Sequence, residues 1–289
     1  MDEREALSLL AGELPGVGDD CAVVGDRVLT TDMLHETTDF PPGVTRYTAG
    51  WRSVGASLSD VAAMGASAEA AVAAYAAPTL DDEELLAYVR GARDVCEAVG
   101  GEYVGGDLDR TDEFTVATTA VGVTDDPVPR SGANPGEAVC VTGSFGRTAA
   151  AVRRFDRGDV DRGNELFRFT PRVAAGGAVG RYATAMMDSS DGLARSLHQL
   201  SAASDCGFAV EDAAVPIHPA VTEVAGDDAD ERELALFFGE DFELVCTVPE
   251  RDVEAARAAS PTALTRIGTV TGSGVEMDGE PLPDRGYSH

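Results

Sequence analysis

The chain contains no lysine, and this absence removes two common classes of function. All 22 basic residues are arginines, against 51 acidic residues, which gives a formal charge of -29 over 289 residues. A phosphate-binding loop of the G-x-x-x-x-G-K-[ST] type requires its lysine, so a nucleotide site of that type is excluded. The chain also lacks a basic stripe with which to displace counterions from a duplex, so we expect no nucleic-acid partner.

Histidine and cysteine are scarce, and neither is spaced for zinc or for nucleophilic catalysis. The four histidines are scattered, without zinc-ligand spacing or a recognisable nucleophile nearby. The cysteines are odd in number and lie in separate apolar runs, which predicts buried free thiols in a reducing compartment. They are Cys21, Cys96, Cys140, Cys206 and Cys246.

Long apolar runs are missing as well. No run approaches the ~18 residues of a membrane span. The chain starts with the acidic Met1-Asp2-Glu3-Arg4-Glu5 and not with a basic leader. We therefore expect a cytoplasmic protein without a membrane partner. The acid excess is typical of halophilic proteins, in which salt screens the self-repulsion and most acids only solvate the surface. An isolated Asp therefore carries no functional weight.

The apolar residues, 44% of the chain, suffice for a large core divided between two domains. The stretch from Asp125 to Gly136 contains three prolines and two glycines between apolar segments, which is typical of a linker. We predict domains at residues 1–126 and 136–289, both of mixed α and β structure.

Periodicity places several acids at the ends of these elements. Two β-rich runs around Gly25-Asp26 predict a hairpin. Apolar residues at helical spacing predict one helix ending near Gly65 and a second from Asp81 to Val99. A strand at 102–104 is expected to lead into a tight turn at Gly105-Gly106-Asp107.

Five short acidic motifs recur where apolar runs end. They are Gly18-Asp19-Asp20, Thr30-Thr31-Asp32, Asp60 after Ser57-Leu58-Ser59, Gly105-Gly106-Asp107 and Asp188-Ser189-Ser190-Asp191-Gly192. Carboxylates and hydroxyls gathered in one place make a site for a hard divalent cation, which in turn holds polyphosphate. A helix beginning after Gly192 would also direct its N-terminal N–H groups at an anion.

These acidic motifs also have plainer interpretations. Asp19-Asp20 suits a solvated turn, and Asp60 suits a surface or capping position. Ser190 or Asp191 suits a helix cap, although capping leaves Asp188 unexplained.

Gly239-Glu240-Asp241-Phe242-Glu243 is a further acidic turn, and Arg130 in the linker suits bidentate contact with a phosphate.

Taken in order, these motifs resemble the thiamine-monophosphate kinase family, within the superfamily of aminoimidazole ribonucleotide synthetase. The resemblance extends from about residue 16 to the end of the chain and includes Arg130-Ser131-Gly132-Ala133. It implies the PurM-like two-domain α/β (α+β) architecture, with an N-terminal domain that forms a β-barrel across a homodimer and a C-terminal α/β domain that completes the site. It further implies ATP-dependent phosphorylation of thiamine monophosphate to thiamine diphosphate, with several Mg²⁺ ions.

The resemblance assigns a role to each matching position. The implied metal ligands are Asp20, Thr30, Thr31, Asp32, Asp60, Asp107, Asp188 and Asp191. The implied ATP contacts are Gly106, Arg130 and Ser190, and the implied substrate contacts are Asp39, Glu240 and Tyr287. Asp39 stands where many members carry His, and the tail Gly286-Tyr287-Ser288-His289 departs from the usual acid and terminal Phe, so both departures fall on the acceptor side.

The sequence is also compatible with two other functions. One is another ATP-dependent enzyme of the superfamily, such as a selenophosphate synthetase, although Cys21 lies in a β run and not in the glycine-rich segment expected there. The other is a non-catalytic regulator that binds Mg²⁺ and nucleotide. For the kinase we expect direct transfer without a phosphoenzyme, because the acceptor oxygen is already ionised. Asp107→Ala or Asp188→Ala would then abolish turnover.

Overall fold

The computed structural model describes Glu13 and residues 18–287. The predicted acidic start of the chain and its last two residues lie outside this part. The elements of the first half are β1 Ala22–Val24, β2 Arg27–His35, α1 Glu36–Asp39, α2 Arg46–Ala63, β3 Ser67–Ala76, α3 Asp82–Ala98, β4 Glu102–Asp109 and β5 Thr115–Val123. They confirm the predicted hairpin and both predicted helices.

The second half begins after the proline-rich linker. Its helices are α4 Arg147–Asp156, α5 Val160–Phe167, α6 Val173–Val179, α7 Leu193–Ser204, α8 Pro219–Thr222, α9 Asp228–Leu236 and α10 Val253–Ala259. Its strands are β6 Ala138–Thr142, β7 Ala185–Asp188, β8 Gly207–Val210, β9 Leu244–Val248, β10 Leu264–Thr271, β11 Val275–Met277 and β12 Glu280–Pro281. Single 3₁₀ turns occur at Asp212–Ala214 and Glu250–Asp252.

The strands form two separate sheets, one in each half. The first has the order β1-β2-β5-β3-β4, with β3 and β4 parallel and the other pairs antiparallel. The second has the order β12-β11-β8-β10-β6-β9-β7. The two-domain, mixed α/β architecture is therefore confirmed. Among residues 18–287, β1 and β4 are the two edges of the first sheet, which does not close into a barrel.

The two faces of the first sheet differ in what covers them. Strand β2 alternates, with Val28, Thr30 and Leu34 buried toward α2, and Leu29, Thr31 and Met33 exposed on the other side. Because side chains alternate along a strand, consecutive residues of the Thr30-Thr31-Asp32 motif point to opposite faces. This alternation decides which of them reach the site.

Helix α2 lies at the junction of the two halves. Its Val54 and Leu58 belong to the same hydrophobic core as Phe155 and Phe167 of the second half. Its last turn, at Ala62 and Ala63, joins a second core with α6 and β7. The helix is buried along most of its length, so polar residues on it are carried into the interior between the two sheets.

One predicted local structure is wrong. Gly105-Gly106-Asp107 is not a turn but the middle of β4, where Gly106 pairs with Ala73. A Cβ atom on Gly106 would lie 1.7 Å from the carbonyl oxygen of Ala73, and its φ of +158° is unusual for other residues. The two glycines are explained by this close, irregular strand pairing, which the prediction of a strand ending at Val104 did not anticipate.

The five cysteines are buried and free, as predicted. Between residues 18 and 287 no helix is long and apolar enough to cross a membrane.

Candidate active site

Three acids from distant parts of the chain meet between the two sheets. Asp20 precedes β1, Asp60 lies in the last turn of α2, and Asp188 ends β7. One carboxylate oxygen of each lies within 4.8 Å of the others. We call these three residues the acidic cluster.

Hydroxyl groups hold the members of the acidic cluster in place. Thr30 donates from Oγ1 to Oδ2 of Asp60 over 2.6 Å, and Ser59 donates from Oγ to Oδ2 of Asp188 over 2.6 Å. Next to them, Ser57 donates to Oδ2 of Asp32 over 2.5 Å. Because Ser57, Ser59 and Asp60 share one helix, α2 sets the spacing of the whole group.

Arg130 from the linker supplies the positive charge beside the cluster. Its Nη2 donates to Oδ1 of Asp20 over 2.7 Å, and its Nε donates to Oδ2 over 3.1 Å, so the contact is bidentate. The backbone N–H of Arg130 donates to Oδ1 of Asp19 over 2.7 Å. The charges of Asp20, Asp188 and Asp60 outweigh the effect of burial and raise the pKa of Arg130 further, so it stays cationic.

One guanidinium does not neutralise three carboxylates. Burial raises the pKa of Asp60 well above its ordinary value, and the charges of Asp32, Asp188 and Asp20 raise it further. Burial and Asp20 likewise raise the pKa of Asp188, against the opposing effects of Ser59 and Arg130. The group therefore favours added positive charge. Oxygen donors gathered in this way fit a hard divalent cation such as Mg²⁺.

Two predicted ligands, Thr31 and Asp107, lie on the face of the first sheet that points away from the acidic cluster. Thr31 faces the outer side of the sheet, where its hydroxyl donates to the carbonyl of Thr118 over 2.9 Å. Asp107 is exposed on edge strand β4, and its register through Ala74 and Ala117 aligns it with Met33 on that outer face. From β4 to β2 is three strand spacings, about 14 Å.

The segment after Asp188 contacts the turn at 239–243 through its backbone. Ser189 and Ser190 accept hydrogen bonds at their carbonyls from the N–H groups of Phe242 and Glu240, over 3.0 and 2.5 Å. Helix α7 follows from an N-cap at Gly192, where no side chain caps it. The alternative that Ser190 or Asp191 serves as that cap is therefore wrong.

A cavity of about 300 Å³ lies beside this turn. Its lining brings together Asp39, Glu240 and Tyr287, the first and last of which are almost 250 positions apart in the sequence. The aromatic rings of Phe40, Phe167 and Phe238 also line it. We call it the aromatic cavity. The three predicted substrate contacts thus share one cavity.

The two acids of the aromatic cavity are held separately from each other. Asp39 accepts hydrogen bonds at Oδ2 from the N–H of His35 and from the hydroxyl of Thr38, both over 2.7 Å. Glu240 is paired with Arg52, whose Nη2 donates to Oε2 over 2.6 Å. Tyr287 donates from its hydroxyl to the carbonyl of Thr38 over 3.1 Å, so this side chain closes one side of the cavity.

Sequence reasoning missed the residues that support these groups. Arg52, Ser57 and Ser59 all lie on α2, and Glu243 is buried in a bidentate pair with Arg172. The available signal was the composition of α2: Arg52 is the one charged residue between Arg46 and Asp60, in a segment otherwise rich in small and apolar residues.

Comparisons with known proteins agree with this arrangement. Residues 18–124 match the model of the AIR synthase related protein, N-terminal domain, and residues 134–278 match that of the C-terminal domain. The chain is 63% identical to the thiamine-monophosphate kinase of Halobacterium salinarum, with all of both chains covered. It is 40% identical to the thiamine-monophosphate kinase of Methanospirillum hungatei, covering 100% of this chain and 99% of the relative.

A solved structure described as AaThiL complexed with AMPPCP and TMP superposes with a TM-score of 0.91 at 27% identity, covering 100% of this chain and 97% of the other. Hydrogenase maturation protein HypE in complex with ATP, at 21% identity and a TM-score of 0.72, shares the fold. The family resemblance carried by the ordered motifs is thus confirmed, and this chain belongs to the thiamine-monophosphate kinase family of phosphotransferases.

Proposed function

We propose that this protein transfers the γ-phosphoryl group of ATP to thiamine monophosphate and releases thiamine diphosphate and ADP. One observation carries the proposal: backbone hydrogen bonds join residues of the aromatic cavity to the segment that follows Asp188. Glu240 of the cavity donates its N–H to the carbonyl of Ser190, two residues after Asp188, and Tyr287 donates its N–H to the carbonyl of Asp191 over 2.9 Å. This contact supports a substrate that extends from the cavity toward the carboxylates.

The lining of the aromatic cavity suits a cationic aromatic heterocycle. Two carboxylates, Asp39 and Glu240, provide negative charge, and the rings of Phe40, Phe167 and Phe238 provide apolar contact. Thiamine monophosphate has a cationic thiazolium ring, and its phosphate would extend toward the acidic cluster. The predicted contacts at Asp39, Glu240 and Tyr287 are consistent with this placement.

The chemistry requires positioning more than proton transfer. An ionised oxygen of the acceptor phosphate bonds to the γ-phosphorus while the bond from that phosphorus to the bridging oxygen breaks, and ADP leaves with the electron pair. Because the attacking oxygen carries no proton, no general base is needed. The work of the protein is to hold two anionic groups in line.

Mg²⁺ ions would be held by the acidic cluster, with Asp32 and Asp191 as further proposed ligands, and would neutralise the phosphate oxygens during transfer. Arg130, Gly106 and Ser190 remain proposed ATP contacts, and Thr31 and Asp107 remain proposed ligands that lie outside the cluster. Asp20 already orients the guanidinium of Arg130, which suits it to contact a phosphate arriving at the same place.

We also infer a homodimer formed through the outer face of the first sheet. That face exposes large apolar side chains, with Met33 62% and Leu29 40% accessible. An apolar sheet face of this kind favours a partner. Met33→Arg should shift the protein from dimer to monomer in sedimentation experiments at high KCl, and a wild-type monomer would contradict the inference.

The activity is tested by incubating the protein with ATP, Mg²⁺ and thiamine monophosphate at high KCl and separating the products by chromatography. Thiamine and no acceptor serve as controls. Thiamine diphosphate formed from the monophosphate alone supports the proposal. ATP binding without acceptor-dependent ADP release would favour a regulator, and ADP release with a different acceptor would favour another activity of the superfamily.

A further inference from the structure

Arg52 is a fully buried charge for which the proposed reaction has so far no role. It lies on α2, and its side chain is 0% accessible, whereas that of Glu240 is 13% accessible. Its Nη2 contacts both Oε2 and the carbonyl oxygen of Glu240, over 2.6 and 3.2 Å, and its Nη1 donates to the carbonyl of Phe167 over 2.8 Å. A buried guanidinium requires such partners, because desolvating it alone is costly.

Aromatic rings hold the Arg52 guanidinium in one position. Its central carbon lies 3.7 Å from the ring centroid of Phe167, which also lines the aromatic cavity. The rings of Phe169 and Phe242 lie 5.7 and 5.4 Å away and stack on each other at 4.3 Å. Packing of this kind favours arginine over lysine, whose ammonium does not stack as a plane.

The segment that Arg52 contacts has an unfavourable backbone conformation. Glu240 and Phe242 have φ values of +62° and +54°, in the left-handed region that side chains other than glycine rarely adopt. The carbonyl of Glu240 accepts from Arg52 and also from the hydroxyl of Thr148, over 2.6 Å. These contacts hold the turn in this conformation and keep the carboxylate of Glu240 at the cavity.

We propose that Arg52 is a positioning residue for acceptor recognition, acting through Glu240. The inference rests on the proposed function and extends it to acceptor specificity. Arg52 binds Oε2 of Glu240, whereas Oε1 has no hydrogen-bond partner in the described part of the chain. The carboxylate is thereby fixed with one oxygen available to a cationic acceptor. ATP binding depends on the acidic cluster and does not involve this pair.

The test compares Arg52→Met with Arg147→Met. Arg147 also stacks on Phe169, at 5.6 Å, and also donates to backbone carbonyls, those of Leu166 and Arg168, but it makes no contact with Glu240. For Arg52→Met we expect the KM and the Kd for thiamine monophosphate to rise about tenfold or more, with the KM for ATP within about twofold. Arg147→Met should leave the ratio of the two KM values unchanged, and Arg52→Lys should recover part of the loss.

A double-mutant cycle with Glu240→Ala tests whether Arg52 acts through Glu240. If it does, Arg52→Met should change the Kd for thiamine monophosphate by less than about twofold in the Glu240→Ala background. Thermal melting at high KCl identifies variants that fail to fold, and if Arg52→Met is one of them, Arg52→Lys replaces it in both tests. Equal effects on both substrates, the same ratio change in Arg147→Met, or an undiminished effect without Glu240 would each overturn the role of Arg52.

The wild-type protein separates this inference from the function on which it rests. If the wild type forms thiamine diphosphate and Arg52→Met has an unaltered KM for thiamine monophosphate, the role of Arg52 is overturned and the kinase proposal stands. A wild type that binds thiamine monophosphate without turnover overturns the kinase proposal, and the Kd values still decide on Arg52. A wild type that does not bind thiamine monophosphate overturns both.

Discussion

The acidic cluster and the aromatic cavity both contain carboxylates, but they balance the charge in different ways. In the cluster, Asp20, Asp60 and Asp188 face one another, and Arg130 supplies the only cation in direct contact among the described residues. In the cavity, Asp39 and Glu240 each have their own donors. The cluster therefore has a larger excess of negative charge than the cavity, where Arg52 pairs with Glu240.

This difference indicates what each region recognises. An excess of negative charge with raised carboxyl pKa values is relieved by a divalent cation, so the cluster suits metal-bound phosphate. Charges already satisfied by the protein leave selection to shape, aromatic contact and one available carboxylate oxygen, so the cavity suits an organic cation. Substitutions in the cluster should thus act on catalysis, and substitutions in the cavity on acceptor affinity.

The largest effect is expected at the cluster. Asp188→Asn removes a buried negative charge from the proposed metal site, and we expect kcat to fall about a thousandfold because several kcal/mol of transition-state stabilisation are lost. Steady-state assays with saturating ATP and acceptor measure it. Asp205→Asn is the matched control, because this exposed acid at the end of α7 has a left-handed backbone that asparagine tolerates. Near-normal kcat in Asp188→Asn would contradict the assignment.

The excess charge should also appear as a stability effect. Burial gives Asp60 and Asp188 raised pKa values, and it raises the pKa of Asp241 to about 6. A raised folded-state pKa stabilises the fold at low pH, and this contribution is lost as pH rises through that value. With EDTA and high KCl, wild-type stability should fall between about pH 5 and 8.

Asp60→Asn should remove part of this loss. Asparagine carries no charge, so the variant should be more stable than wild type by about 2 kcal/mol at pH 8 in EDTA, with little difference at pH 5. Denaturant unfolding at both pH values measures it. Mg²⁺ should stabilise the wild type more than the variant. A variant less stable than wild type at pH 8 would show that repulsion in the cluster is already compensated.

A smaller contrast is expected between neighbouring threonines. Thr30→Val removes the hydroxyl that holds Asp60, and we expect kcat to fall about tenfold, since hydrogen bonds to charged groups contribute about 1.5–3 kcal/mol. Thr31→Val changes a side chain on the opposite face but keeps the backbone carbonyl of this proposed ligand, so it should alter kcat less than about twofold. The same assay serves both variants. Equal losses would show that the outer face takes part in the reaction.

The smallest effect is expected in the cavity. Tyr287→Phe removes the hydrogen bond to Thr38 and should raise the KM for thiamine monophosphate about threefold, because a neutral hydrogen bond contributes about 1 kcal/mol. The KM for ATP and kcat should stay unchanged. Acceptor titrations at saturating ATP measure the shift. A larger change in kcat than in KM would place Tyr287 with the catalytic groups.

Local patterns predicted most of the fold and part of the site. The hairpin before Thr30, helix α2 and the strand leading to Asp188 follow from apolar periodicity, which depends on near neighbours. The strand through Gly105-Gly106-Asp107 was predicted as a turn, because paired glycines favour turns unless a neighbouring strand imposes its own pairing. The roles of Arg52 and Ser59 were missed because their partners, Glu240 and Asp188, are distant in the sequence, although Arg52 is the one charged residue between Arg46 and Asp60.

The sequence by itself determined the acid excess, the two α/β halves, the family and the order of the acidic motifs, since composition and short-range patterns carry that information. Only the tertiary structure decided which acids meet, because the approach of Asp20 to Asp188, and the shared cavity of Asp39 and Glu240, depend on how two sheets pack about one buried helix. It also decided that Thr30 faces the acidic cluster and Thr31 faces away, because the pleat of a strand assigns a face only once one side is buried.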